Sequence, residues 1–526
     1  MFNYFLRYCN TIKYLKYRQL FFQLIHKTVP KTSFRKIKVC VPTVTPKLEY
    51  YTPAYFQINC GERYISLFEL NKYYWDGTGN AINSNDYLSK FSFFYYEFLL
   101  CTDLPVEAIK YLLQNISSFE MSASYINHPY TVSKRIISLV ILSCYRQNDV
   151  IDAQLQLEIN NRLSEDISFL TQNIEYHIDG NHILTNFLAL ALVYKITRVQ
   201  SLEQFEKKYL KEFEEQFSGD EHYERSYSYS KQLLYEFILY YQLCSKEEQI
   251  EYSGRIKSIY YNLTRKENIG NFKFGDNIDE QCCSLHWLSD FIRRNIGPLE
   301  SGNEKDSFQI SNDSYILLNR QKFCLAIDAG KPSPSFQPGH AHDSTGALLM
   351  KARSLELVTC SGTSTYDRST QRKLERSRYA YSRPISLGFS QEVWSSFRVA
   401  RRHDPKISYS SGSTISIEVP CERGAFVRTV EAVGANEVWV KDSVRNVEHL
   451  QVQFLINPEL QVKQTCQSGI SIFGAASKIA SFSFSKEADL LLRNLDFGVK
   501  YGQVKSYTCV LITTKTGTIN TRIKIE

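Results

Sequence analysis

The 526-residue sequence has no apolar run long enough to cross a membrane as a helix. It also has no CxxC pair and no zinc-finger spacing, and its 13 cysteines are scattered and odd in number. A disulfide framework is therefore not the organising principle of so long a chain. The thiols read as small buried apolar side chains, which points to a reducing compartment. Charge is modest: the net value of +7 is small for this length, and no basic tract matches a nucleic-acid motif. Two uses remain for it, steering of an acidic polysaccharide and plain solubility. The N-terminal stretch lacks the apolar core and small-residue cleavage site of a signal peptide. Internal repeats and long low-complexity segments are absent as well.

Aromatic residues are abundant, with 36 tyrosines and 32 phenylalanines. An aromatic face suits the apolar C–H face of a pyranose ring, and biased codon usage is the competing explanation. The length implies on the order of two or three domains. Residues 1–45 form a basic, aromatic arm carrying Arg7, Lys13, Lys16, Arg18, Lys27, Lys31, Arg35, Lys36 and Lys38. One or two amphipathic helices through residues 6–26 are expected there. They would touch a membrane surface, a partner or the arm's own domain.

Residues 46–300 read as all-helical. A buried helix is expected over residues 87–99, which are apolar on most sides. Val132, Ile136, Ile137, Val140 and Ile141 recur at helical spacing, as do Leu184, Phe187, Leu188, Ala191 and Leu192. Ser201 with Gln204 reads as a capping box opening another helix. Further helices are expected over residues 232–244 and 285–294. Near residues 297–306 the composition turns to Gly, Asn, Ser and charge, and period-two alternation takes over. Tyr315 to Leu318 and Phe323 to Ile327 read as a hairpin around Asn319-Arg320-Gln321-Lys322. Alternating segments follow near residues 413–419, 426–430, 438–440, 450–454, 508–513 and 521–525. Residues 301–526 therefore read as an antiparallel β-sandwich.

The segment Ser335-Phe336-Gln337-Pro338-Gly339-His340-Ala341-His342-Asp343 opens that half. On a strand, residues i and i+2 share a face, so His340 and His342 would stand side by side. That suits a catalytic histidine beside a metal ligand, two ligands of one metal, or a surface loop.

Seven pieces in order carry a resemblance. They are Asn127-His128-Pro129-Tyr130-Thr131-Val132-Ser133-Lys134-Arg135, Gly180-Asn181-His182-Ile183-Leu184-Thr185-Asn186 and His222-Tyr223-Glu224-Arg225-Ser226-Tyr227-Ser228-Tyr229. Phe274-Gly275-Asp276, Gln337-Pro338-Gly339-His340-Ala341-His342, Ser361-Gly362-Thr363-Ser364-Thr365-Tyr366 and Glu392-Val393-Trp394-Ser395-Ser396-Phe397-Arg398 follow. With them the chain resembles the heparinase II/III-like polysaccharide lyases, in the branch found beside bacterial capsule and exopolysaccharide genes. The resemblance implies an incomplete α/α toroid followed by a C-terminal β-sandwich. It implies β-elimination on a uronic-acid-containing polysaccharide, with no required cofactor. Tyr229 stands at the family's catalytic tyrosine and His340 at its catalytic histidine. Asn181, with His182 beside it, stands where the substrate carboxylate is neutralised. Glu224, Arg225, Tyr130 and Trp394 are candidate substrate-binding residues, and a structural Glu224–Arg225 ion pair is the alternative for the first two.

The sequence departs from the family at several positions. Ser230 replaces a histidine after the catalytic tyrosine, and Ser344 replaces an acidic residue. The family's structural zinc site would map to His342, Cys360 and Tyr381, where Cys360 replaces an aspartate and Tyr381 a histidine. A catalytically altered glycan-binding or polysaccharide-assembly protein is therefore the second functional reading. A glycoside hydrolase, using two of Asp220, Glu224 and Asp276, is the third. Family members are often exported, whereas the absent signal and the cysteine usage point to the cytoplasm.

Overall fold

The computed structural model describes residues 2–28, 36–42, 45–51, 91, 94–100, 113, 126–145, 151–270, 272–278, 282–299, 306–312, 314–445, 449–475 and 477–526. Two helices open the chain, α1 (Phe2–Ile12) and α2 (Tyr17–Thr28). The helical region continues with α3 (Pro129–Tyr145), α4 (Ala153–Leu170), α5 (Gly180–Thr197), α6 (Glu203–Gln216), α7 (Tyr227–Gln242), α8 (Lys246–Glu267) and α9 (Leu285–Asn295). Neighbours in sequence pack together: α3 on α4, α5 on α6, α7 on α8. Helix α5 also packs on α3 and α7, which explains its apolar residues on all sides.

Local signals were overridden in two places. Ser201 and Gln204 make no capping box. Residues 200–202 form a short 3-10 turn, and α6 starts at Glu203 without a side-chain cap. A capping box forms instead at Ser245 and Glu248, opening α8. Most of the helix expected over residues 87–99 lies outside the described residues. Its described end is a turn followed by the 3-10 turn Glu97–Leu100, with Tyr96 at φ 62°. Arg135 donates to the Phe94 carbonyl and lies over the Tyr96 ring, a tertiary contact that outweighs helix propensity here.

The C-terminal half is two eight-stranded antiparallel sheets face to face. The first runs β1 (Gln309–Ile310), β2 (Tyr315–Asn319), β3 (Phe323–Asp328), β4 (Leu348–Ala352), β5 (Leu355–Thr359), β12 (Leu450–Ile456), β17 (Gln503–Thr514) and β16 (Asp489–Lys500). The second runs β13 (Gln461–Cys466), β14 (Gly469–Phe473), β15 (Lys478–Phe484), β18 (Thr518–Ile525), β11 (Glu437–Val444), β10 (Gly424–Val433), β9 (Thr414–Cys421) and β8 (Lys406–Ser410). A two-stranded ribbon, β6 (Gln391–Val393) and β7 (Val399–Arg402), stands apart, and a short helix, α10 (Thr370–Glu375), precedes it. The hairpin expected around residues 319–322 is β2 and β3, paired from Tyr315 with Asp328 to Asn319 with Cys324.

The first sheet is buried on both faces. Along β2, Ile316 and Leu318 enter the sandwich core, while Tyr315 and Leu317 join the core of the helical region. Strands β3 and β4 divide likewise: Leu325, Ile327, Leu348 and Met350 on one side, Ala326 and Leu349 on the other. Period-two geometry thus lets one sheet serve two cores.

Tyr315 is the central contact of that interface. Its ring stacks on Phe274 (5.2 Å, 13°) and meets the edge of Phe272 at 4.8 Å. Its hydroxyl donates to the Arg225 carbonyl at 2.9 Å. Tyr315→Ala is expected to cost about 3–5 kcal/mol in chemical denaturation. Tyr315→Phe, which loses a single hydrogen bond, should cost about 1 kcal/mol.

Candidate active site

Two helix N-termini and one β-domain loop meet at Glu224. The residue lies in the connection between α6 and α7 and is buried. Its Oε1 accepts the Asn181 backbone N–H at 2.9 Å, in the first turn of α5. Its Oε2 pairs with Nδ1 of His340. A carboxylate at a helix N-terminus is stabilised by the free N–H groups and the helix dipole. Burial would raise the Glu224 carboxyl, but His340, His222 and the Asn181 N–H hold it down at about 2. The close approach requires glycine at 180, which adopts φ +65° and where a Cβ would overlap Glu224 Oε1.

Ser226 caps α7, accepting the Tyr229 N–H at 3.3 Å and donating to the Asp276 carbonyl at 2.6 Å. That places Tyr229 in the first turn of α7, at the boundary of the two domains. Its ring stacks on His340 at 4.3 Å and 21°. Its hydroxyl lies 2.9 Å from the hydroxyl of Tyr366, a residue of the Ser-Gly-Thr turn that sequence reading quoted without a role. Burial pushes both phenols well above their ordinary value, and Asp276 adds to this, so both are protonated at neutral pH. Asn181, Tyr229 and His340 therefore come together around Glu224. No hydrogen bond engages the Asn181 side-chain amide among the described residues.

His182 faces a second buried carboxylate. Its Nδ1 lies 3.0 Å from Glu175 Oε1, and Asn186 donates to Glu175 Oε2 at 3.0 Å. Burial alone would lower the His182 pKa, but Glu175 raises it above the usual imidazole value. Tyr130 lies against the His182 ring at 4.5 Å, and His128 at 6.3 Å. Glu175 had no sequence signal, being one acidic residue in a loop.

His340 and His342 are on a loop between β3 and β4 rather than on a strand, and they serve different networks. His342 is fully buried. Its Nε2 faces Asp276 at 2.7 Å and its Nδ1 faces the Tyr381 hydroxyl. Asp276 also takes a two-pronged contact from Arg372 at 2.5 and 2.6 Å. Its backbone N–H donates to the His340 carbonyl at 3.1 Å, which fixes the His340 loop. This donor set does not fit zinc. Both His342 nitrogens are engaged, Tyr381 brings a protonated phenol, and burial pushes the Cys360 thiol up to about 12, far from a thiolate. Among the described residues no group of three or more His, Cys, Asp or Glu side chains could hold a metal ion.

One expectation is corrected. Glu224 and Arg225 do not pair with each other. Arg225, at φ 57°, turns away to Asp328 at 2.5 Å and to the Lys331 carbonyl at 3.0 Å, tying the two domains together. Trp394, half-buried, packs against α1. The edges of Tyr4 and Tyr8 meet it from α1, and its Nε1 donates to Thr11 at 3.1 Å.

A carboxyl held at about 2 against an ordinary 4.5 corresponds to about 3 kcal/mol of stability. The depressed value means that this contribution is full above pH 4.5 and is lost as pH falls towards 2. Chemical denaturation at pH 5 and pH 2.5 should show a larger loss for the wild type than for Glu224→Gln.

Residues 303–520 match the family model described as heparinase II/III-like, C-terminal. Among solved structures, a heparinase III aligns with TM-score 0.64 at 15% identity, over 84% of this chain and 77% of that one. A second heparinase III gives 0.58 at 12% identity, over 95% and 88%. The heparan sulfate lyase HepC from Pedobacter heparinus gives 0.54 at 11%, over 83% and 74%. A search of curated proteins returned no match. Residues 303–520 thus carry the likeness to the heparinase II/III-like C-terminal domain, and the helical region before them shares its fold with the solved heparinases.

Proposed function

We propose that the chain is a polysaccharide lyase that cleaves an acidic, uronic-acid-containing polysaccharide by β-elimination. The observation that carries this reading is the grouping of Asn181, Tyr229 and His340 around the buried Glu224 at the domain boundary.

β-Elimination needs a neutralised substrate carboxylate, a base for the C5 proton and an acid for the leaving O4. The Asn181 amide and the His182 ring, whose cationic form Glu175 favours against burial, serve the carboxylate. With Nδ1 of His340 donating to Glu224, its Nε2 carries the lone pair that takes the C5 proton. Tyr229, protonated at neutral pH, gives its proton to O4 as the C4–O4 bond breaks and the C4–C5 double bond forms. The Tyr366 hydroxyl stabilises the resulting phenolate, and the stacked imidazolium returns a proton to it.

A hydrolase would need two free carboxylates facing each other. Asp220 is held by Arg255, Glu224 by His340 and Asp276 by Arg372.

Incubation with a panel of capsule-type and other acidic polysaccharides should raise the ultraviolet absorbance of an unsaturated uronate. Tyr229→Phe and His340→Ala should each lower the rate at least about 100-fold. Binding without any rise, on every substrate, would contradict the lyase reading and favour a glycan-binding role. The imidazolium of His182 also sets a pH dependence. Activity should fall as pH rises through the raised His182 pKa, and Glu175→Gln should move that limb of the pH–rate profile to lower pH.

A further inference from the structure

The two site-bearing segments belong to different domains, and the N-terminal arm is fastened to both. Helix α1 lies on the β-domain. Arg7 pairs with Glu392 at 2.7 Å, Tyr4 and Tyr8 meet Trp394, and Arg402 lies 3.9 Å from the Tyr14 ring centroid. Helix α2 lies on the helical region. Arg18 pairs with Asp179 at 2.9 Å, Lys16 with Glu215 at 2.9 Å, and Phe22 stacks on Tyr176 at 4.6 Å.

Between these anchors, one buried amide spans the domain boundary. The Gln19 Oε1 accepts the Lys16 backbone N–H at 2.9 Å. Its Nε2 donates to the Ile178 carbonyl at 3.2 Å and to the Phe336 carbonyl at 3.3 Å. Lys16 adds a second span, with its ammonium 3.7 Å from the Phe336 ring centroid and 3.5 Å from Asp179. Ile178 and Asp179 lead directly into Asn181 and His182. Phe336 leads, four residues on, into His340. Asp179 is fully buried at the N-cap of α5, and the arm's two cations reach it there.

We infer that the N-terminal helices form a strap that sets the spacing of the two halves of the site, with Gln19, Lys16 and Arg18 as positioning residues. The strap keeps the Asn181–His182 turn and the His340 loop at working distance before substrate arrives. This role rests on the lyase reading only for its consequence in turnover. The strap itself is a property of the fold.

A site assembled only part of the time binds substrate more weakly by the fraction assembled. Gln19→Ala should therefore raise KM about tenfold while leaving kcat within about twofold. A general loss of folded enzyme would do the reverse, lowering kcat at constant KM. Hydrogen–deuterium exchange gives a readout independent of catalysis. In Gln19→Ala, exchange in residues 176–182 and 335–342 should accelerate together, by about tenfold, with the sandwich strands unchanged. Arg18→Ala, at a partly exposed side chain, should give the same paired response to a smaller degree. Faster exchange confined to residues 2–28 in both variants would overturn the inference, as would a kcat loss at unchanged KM. If the wild type cleaves no polysaccharide, the lyase reading fails and the paired exchange response still decides the strap.

Discussion

Everything at the site depends on one buried carboxylate held from two sides. Glu224 accepts a helix N-terminal N–H from the helical region and pairs with an imidazole from the β-domain. A charge in that position is tolerable only with both partners present. Glu224 thus ties the formation of the site to the docking of the domains. It also engages Nδ1 of His340 and so fixes the ring that stacks on Tyr229. Gly180 is part of the same constraint, because only a residue without a Cβ lets α5 start so close to Glu224.

The docking has its own logic. The first sheet of the sandwich buries one face against the second sheet and the other against the helical region, so the interface continues the core. Tyr315 and Arg225 join at its centre, with the guanidinium 4.4 Å from the ring centroid. Deeper still, Asp276, Arg372, His342 and Tyr381 form a fully buried polar cluster whose charges cancel internally. It braces the His340 loop from behind, with an arginine supplying the positive charge.

Much of this was legible in the sequence. The helices α3 and α5 and the strands of the sandwich follow from apolar periods of 3.6 and 2. Asn181, Tyr229 and His340 were legible through the order of short motifs, and the structure brings them together. What sequence could not supply was pairing. Nothing local says that Glu224 turns to His340 while Arg225, the next residue, turns to Asp328, because a positive φ at 225 splits them. Nothing local says that Trp394 is covered by α1, 383 residues away from Thr11. The HxH pattern suggested a shared face, but a loop has no period, so His340 and His342 part company. Tyr366 acquires its role only from Tyr229, far away in sequence, and Glu175 only once its loop folds back onto His182 and Asn186 at the start of α5.

The central claim is elimination without hydrolysis, and the fate of solvent oxygen tests it most directly. Cleavage of an acidic polysaccharide in water labelled with oxygen-18, followed by mass spectrometry of the products, separates the two reactions. The account predicts products free of the label, with one new chain end lighter by a water than a hydrolysis product. Incorporation of the label at the newly formed reducing end would contradict it.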